Sequence, residues 1–283
     1  MPRRVQVFGP AYLDRVLRVD RPLRVPDADG PLDRSVDGRL GFGAPDGLTL
    51  ADPDGASLVV ELPPGWPGPR GTIELAAPLG APAGSRRDVR ALDWAEDLGG
   101  MGAGFAAALG GELTCALGAP DDPTSVAVAD RLAEQGIPGD PIRLPDRQAD
   151  WSLLISSGPH GDKLAVGFRG CHAGIAPAPI QSRAEAPCDV RIVAGLPNRL
   201  AAAALRGGSP RLRVLAPSLR SMLDDDPPLL KIIAPVDVLC CNRGEWDALA
   251  DREEVAARLS ILLVTEGEAG GWARFTDPLG GSR

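Results

Sequence analysis

Histidine is scarce in this 283-residue chain: only His160 and His172 accompany five cysteines, Cys115, Cys171, Cys188, Cys240 and Cys241. No spacing among them matches a zinc site. The thiols therefore read as structural or incidental, and the adjacent Cys240 and Cys241 should point to opposite faces of a strand. A basic excess is also missing. The net charge of -8 leaves no surplus of cations to release counterions from a nucleic-acid backbone, and it gives no attraction to an anionic membrane. No apolar run approaches transmembrane length, and no apolar targeting segment precedes Val5-Gln6-Val7-Phe8, so the cytoplasm is the expected compartment. No internal repeat is present.

What is present is globular: 44% hydrophobic and 24% charged residues, in a chain long enough to bury about three quarters of its unfolded surface. Val5 to Phe8 reads as a first strand ending at Gly9-Pro10, with Asp14 just beyond it. Residues 22–87 are dense in Pro, Gly and Asp, interrupted by the short β candidates Leu58–Leu62 and Thr72–Leu75, and read as a loop-rich insertion or lid. An Arg/Asp-rich patch, 86–90, leads to the cluster Gly99-Gly100-Met101-Gly102-Ala103-Gly104. From there strands and helices alternate. Strands are expected at 113–117, 190–194, 212–215, 236–240 and 261–264, with a hairpin over 151–155 and 164–166. Helices are expected from Gly104, from the Asp121-Asp122-Pro123 cap to about Gln135, at 199–205 and at 253–259. Short apolar strands spaced by helices predict a doubly wound α/β fold, its central sheet mostly parallel, with a small β-rich lid.

Several residues carry possible chemistry, and each has a plainer role beside it. Asp14 could accept hydrogen bonds from two neighbouring sugar hydroxyls, or be a solvated loop carboxylate. Gly99, Gly100, Gly102 and Gly104 could open a substrate pocket at a helix N-terminus, or serve a tight turn and close helix packing. Asn242 and Glu245 form N-x-x-E after a strand: the carboxylate could organise magnesium through water, or the pair could be a capping box. Thr265-Glu266-Gly267-Glu268-Ala269-Gly270 could border a nucleotide, or simply turn the chain after a strand.

Taken in order, these features resemble the ribokinase-like (PfkB) carbohydrate and nucleoside kinase family over nearly the whole chain. Asp14 resembles its early substrate-binding aspartate, and Gly99 to Gly104 its Gly-Gly-x-Gly-x-Asn region. Asn242-Arg243-Gly244-Glu245 matches its N-x-x-E signature, and Val264 to Gly270 its V-T-x-G-x-x-G turn. The resemblance implies ATP-dependent phosphorylation of a hydroxyl on a sugar, polyol or nucleoside, with ATP and Mg2+ as cofactors. Substrate contact would fall to Asp14, Gly99, Gly100 and Gly104. Nucleotide contact would fall to Asn242, Glu245, Thr265, Gly267 and Gly270, with Glu245 reaching the metal through water. A homodimer through the lid would also be compatible.

The departures are specific. Gly104 stands where the family has a substrate-contacting Asn, and the interval from Asp14 to Gly99 is long. The family's late D-x-x-G-A-G-D motif, whose last Asp is the base, has its nearest counterpart in Asp277-Pro278-Leu279-Gly280-Gly281-Ser282-Arg283. Arg283 then occupies the base position, and an arginine stays protonated. The expectation is a kinase domain over 1–283 that lacks the C-terminal part of the fold and the helices covering one sheet face. No residue is assigned as catalytic base, and the alternative function is a non-catalytic kinase-fold protein that binds a sugar or nucleotide. A dinucleotide-binding reading of Gly102-x-Gly104-x-x-Ala107 fails, because Ala91 to Asp97 is a poor buried first strand.

Overall fold

The computed structural model describes residues 3–23, 32–41 and 47–276. The chain divides into two compact units. One comprises Met1–Ala11, Gly99–Gln148 and Cys171–Arg283, and the other Tyr12–Leu98 and Ala149–Gly170.

The first unit is the α/β one. Its seven-stranded sheet uses β1 (Val5–Phe8), β8 (Glu112–Thr114), β13 (Val190–Ala194), β14 (Leu212–Ala216), β15 (Val238–Asn242), β16 (Ile261–Thr265) and β17 (Gly271–Phe275). The spatial order is β17-β16-β15-β14-β13-β1-β8. Every pair is parallel except β16 with β17. Strand order reverses at β1, the arrangement of a doubly wound sheet. Expected strand 113–117 breaks at Cys115: Ala116–Leu117 forms β9, which pairs with β10 (Ile142–Arg143) outside the main sheet.

Helix α1 (Met101–Leu109) contacts β1, β8 and β13. Helix α2 (Pro123–Glu134) starts where expected: Asp122 caps it by accepting from Ser125 N and Oγ, and Pro123 opens the first turn. Helix α3 (Pro177–Ala184) packs on α4 (Asn198–Arg206), and the alanine-rich α4 buries Leu200 to Leu205 beside β13. Short helices α5 (Leu219–Met222), α6 (Leu229–Ile232), α7 (Arg243–Ala248) and α8 (Arg252–Ala257) complete that layer. Leu215, Leu239, Cys241, Leu262 and Val264 share one core with them.

On the opposite sheet face burial falls away strand by strand. Ile192 is buried and Val214, Cys240 and Ile261 half-buried, whereas Leu263 is 37% and Phe275 53% exposed. Among the described residues the largest fully buried side chain is a cation. Arg191 is 0% exposed and gives its protons to Gln6 Oε1 (3.2 Å), the Ala204 carbonyl (3.1 Å) and the carbonyls of Ala184 and Gly207. Neutral acceptors thus satisfy the donors of a buried guanidinium.

The second unit is a closed eight-stranded barrel of mixed pairing. Its strands are β2 (Tyr12–Val19), β3 (Asp33–Leu40), β4 (Leu48–Ala51), β5 (Ser57–Glu61), β6 (Gly71–Leu75), β7 (Arg86–Gly99), β11 (Trp151–Ser157) and β12 (Asp162–Phe168). They close in the order β11-β12-β3-β6-β4-β5-β7-β2, which removes free edges. Leu17, Leu48, Leu50, Val60, Ile73, Leu153, Ile155, Leu164 and Val166 fill the interior. Exposed positions carry the cross-strand ion pairs Arg18–Asp93, Arg39–Glu74 and Arg90–Glu61, and the less exposed Arg15–Glu96 pair, with Arg15 over the Trp151 ring, joins β2 to β7.

One reading of the sequence changes here. Asp14 lies inside β2 rather than in a loop beyond the first strand, because Gly9-Pro10 ends β1 and alternation resumes at Tyr12. The Arg/Asp-rich stretch before the glycine cluster opens β7, the longest described strand, where Arg86 pairs with Asp88 along the strand and Arg90 and Asp93 pair with Glu61 and Arg18 on neighbouring strands. The Asp277–Arg283 segment lies outside the described residues. No helix among the described residues is long and apolar enough to cross a membrane.

Candidate functional site

The glycine cluster sits at the carboxyl ends of β1 and β13, beside the reversal of strand order. Gly100 is the N-cap of α1 with φ +103°, and a Cβ there would lie 2.3 Å from the Pro10 carbonyl oxygen. A Cβ on Gly102 would meet Gly9 backbone at 2.5–2.8 Å, and one on Gly9 would meet the Ala194 carbonyl and Gly102 Cα at 2.7 Å. These glycines let three backbone segments touch. The Ala103 amide is already bonded to Pro10 O (3.2 Å). Gly99 is buried at the strand end, whereas Gly104 is exposed on α1 with open space around it. The close-packing role is therefore filled by Gly100 and Gly102, and Gly104 is the member left exposed.

The N-x-x-E pair and the later glycine turn come together at the carboxyl ends of two adjacent parallel strands. Asn242 ends β15, Thr265 ends β16, and the two are register partners. A cleft of about 570 Å³ lies between them, lined by Asn242, Arg243, Gly244, Thr265, Glu266 and Gly267. Asn242 Oδ1 accepts from Glu245 N (2.9 Å) and Glu245 Oε2 accepts from Asn242 N (2.8 Å), a complete capping box for α7. Burial raises the Glu245 pKa, opposed by the hydrogen bonds its carboxylate takes from the Asn242 and Leu219 backbones. Arg243 reaches Asp247 (2.8 Å) and Glu266 (3.0 Å), which hold its guanidinium at the cleft. Gly267 (φ +60°) opens the single 3-10 turn Gly267–Ala269, and Gly270 (φ +89°) closes it. Gly270 is not among the residues lining the cleft.

Asp14 lines a different cavity, about 270 Å³, on the outer face of the barrel. Register places Asp14 opposite Ser152, and Ser152 opposite Gly167. Ser152 Oγ donates to Asp14 Oδ1. Partial burial raises the Asp14 pKa; the Ser152 bond and the Lys163 charge oppose this, and Asp97 reinforces it. Tyr12 is raised as well, by burial and then by the Asp14 charge. The same cavity includes Trp151, Lys163, Ala165 and Arg169. Motif reading missed Ser152, Lys163, Gly167 and Arg169. Their signal is period-two alternation: Leu164, Val166 and Phe168 are buried while Lys163, Ala165, Gly167 and Arg169 face out.

No model of a known protein family matches the chain, and no curated protein matches its sequence. Solved structures do. A ribokinase from Thermotoga maritima is 14% identical, with 99% of this chain and 76% of that one covered at a TM-score of 0.60. A nucleoside kinase from Methanocaldococcus jannaschii, an archaeal member of the ribokinase family, is 13% identical, with 97% and 74% covered at 0.57. The Burkholderia thailandensis nucleoside kinase in complex with inosine is 17% identical, with 99% and 74% covered at 0.56. Likeness at this identity establishes a shared fold: the chain has the ribokinase-like α/β architecture, a doubly wound sheet accompanied by a β-rich unit.

Proposed function

We propose that the protein is an ATP-dependent phosphotransferase acting on a hydroxyl of a sugar, polyol or nucleoside. The observation that carries this reading is the pairing of Asn242 with Thr265 at the carboxyl ends of adjacent parallel strands, with Arg243 held beside them. Crevices at such strand ends are where open α/β sheets take nucleotides. The family resemblance and the ribokinase-like fold support the same assignment.

In this reading the α/β unit binds the nucleotide. Asn242, Thr265, Gly267 and Gly270 border it, and the Arg243 guanidinium meets the phosphates as a fixed cation. The barrel binds the acceptor: Asp14, with one oxygen already engaged by Ser152, accepts hydrogen bonds from hydroxyls on its other oxygen. Glu245 fits magnesium only at a distance, because its carboxylate already accepts two backbone amides; it would hold the ion through water. Held there, the ion would supply positive charge against the phosphates of the nucleotide.

Binding without turnover is the second reading, favoured by that same commitment of Glu245 to its capping box. Calorimetric titrations test the common ground. Asn242→Ala should weaken Mg-ATP binding and leave acceptor binding intact, and Asp14→Asn should do the reverse. Loss of neither, or of both together in a folded protein, would remove the assignment of the two sites.

A further inference from the structure

The outer face of β12 is built as cation, small, small, cation. Lys163, Ala165 and Gly167 alternate with the buried Leu164, Val166 and Phe168, and Arg169 follows directly. Ala165 and Gly167 put almost no side chain on that face, so together they form a low floor between two long cationic side chains. The positions of Lys163 and Arg169 are about 20 Å apart along the strand, which lets both side chains lean over the floor from opposite ends.

The Arg169 end does lean in. A Cβ built on Gly167 would lie 3.5 Å from Arg169 Nη2 and 3.4 Å from Asp37 Oδ1. The guanidinium therefore overhangs the floor, steadied by Asp37 through its Nε at 3.3 Å. The row Asp14–Ser152–Gly167 crosses three adjacent strands, so Asp14 and the overhanging guanidinium are separated by two strand spacings, about 10 Å. Lys163 forms no ion pair among the described residues, and its charge reaches Asp14 while that of Arg169 reaches Tyr12. In a chain of net charge -8, this cavity is lined by three cationic side chains, Arg34, Lys163 and Arg169, and by two carboxylates, the buried Asp150 and the partly buried Asp14 already bonded to Ser152.

We infer that the molecule taken by this cavity is polyhydroxylated and also anionic: Asp14 receives its hydroxyls, and Arg169 with Lys163 receives a carboxylate or phosphate at its far end. This rests on the reading of the cavity as the acceptor site and narrows it to acidic or phosphorylated acceptors. A purely neutral sugar would leave Lys163 unmatched and would not use the span from Asp14 to Arg169. A guanidinium fixed through Nε keeps its outer N–H donors for an anion.

Equilibrium titration of the full chain with matched probes tests this without requiring turnover. The probes are ribose, ribose 5-phosphate and ribonate, and inosine beside inosine 5′-monophosphate. The expected result is binding of at least one anionic member about tenfold tighter than its neutral partner, the scale of a hydrogen bond to a charged group. That preference should disappear in Lys163→Met and shrink in 0.5 M salt. Because Arg169 also holds Asp37, Arg169→Gln is read beside Arg169→Lys, which keeps the charge and should retain part of the preference. The ribonate and ribose 5-phosphate arms decide between carboxylate and phosphate. Lys163 and Arg169 are exposed, so their variants should keep the wild-type melting temperature. Equal binding of neutral and anionic probes, lost in Asp14→Asn, overturns the inference and keeps the acceptor site. Binding of no probe, or binding indifferent to Asp14→Asn, overturns the acceptor site and the inference with it.

Discussion

Gly102 and Gly104 are two residues apart on one helix, yet the structure assigns them opposite sensitivities to a single methyl group. At Gly102 a Cβ would sit 2.5 Å from Gly9 C, 2.7 Å from Gly9 Cα and 2.8 Å from Gly9 O. All three are backbone atoms, and Gly9 is itself closed in by the Ala194 carbonyl, so no side chain can rotate to make room. Overpacking of this kind costs roughly 1–3 kcal/mol, and the rigid surroundings place it near the upper end. Alanine returns about 0.5–1 kcal/mol through helix propensity. Gly102→Ala should therefore destabilise by about 2 kcal/mol. At Gly104 nothing lies within 4 Å of the built Cβ, so only the gain survives and Gly104→Ala should stabilise by about 0.5 kcal/mol. Thermal melts followed by circular dichroism read both: about 4–8 °C lower for Gly102→Ala and a degree or two higher for Gly104→Ala. Equal melting temperatures for the two variants would refute the close approach of α1 to β1 and free the whole cluster for ligand binding.

Asp14 is the second case. Its folded-state pKa lies above the usual carboxylate value because of burial, so the ionised form burdens the fold once pH exceeds the unfolded value, and the relative benefit of the protonated form exists only at lower pH. Asp14→Asn should leave neutral-pH stability equal or slightly higher while weakening acceptor binding, and wild-type binding should fall with pH at a midpoint above that of an exposed aspartate; a melting temperature well below wild type would contradict this. The two sheet faces differ too: Leu262→Ala, fully buried, should cost about 3 kcal/mol, while Leu263→Ser on the half-open face should cost about 1 kcal/mol or less, read by urea denaturation, with equal costs contradicting the exposure gradient. Among the thiols, burial holds Cys115 and Cys241 up at about 12, so a thiol reagent at pH 8 should label the half-buried Cys188 and Cys240 first; early labelling of Cys115 would contradict its burial.

The α/β unit was legible in the sequence because its strands are short, mostly apolar runs separated by helical stretches. Val190–Ala194, interrupted only by Arg191, and Ile261–Thr265 announce themselves this way. The Asp122-Pro123 cap and the Asn242/Glu245 box were legible because capping chemistry is local. The barrel was legible only in pieces, the segments that became β5, β6, β11 and β12, and the rest was not, for an equally physical reason. In β7 the outward charges are matched by partners on other strands, Arg90 with Glu61 and Asp93 with Arg18. A charge-rich stretch therefore reads as loop until its cross-strand neighbours are known. Closure adds nothing local: Asp14 meets Ser152 across 138 residues of sequence, and no motif fixes that register. The carboxylate could be singled out alone, but not the cavity that gives it a role.

Transfer itself is the most direct test of the central claim. The purified protein, Mg2+ and ATP are incubated with a panel of sugars, polyols, nucleosides and their acidic or phosphorylated derivatives, and phosphorylated product is followed by phosphorus NMR. The expected result is acceptor-dependent transfer of the γ-phosphoryl group to a hydroxyl with matching release of ADP, lost in Asp14→Asn and in the Asn242→Ala/Glu245→Ala double variant. Absence of any phosphorylated product across the panel, or transfer that persists undiminished in both variants, would contradict it.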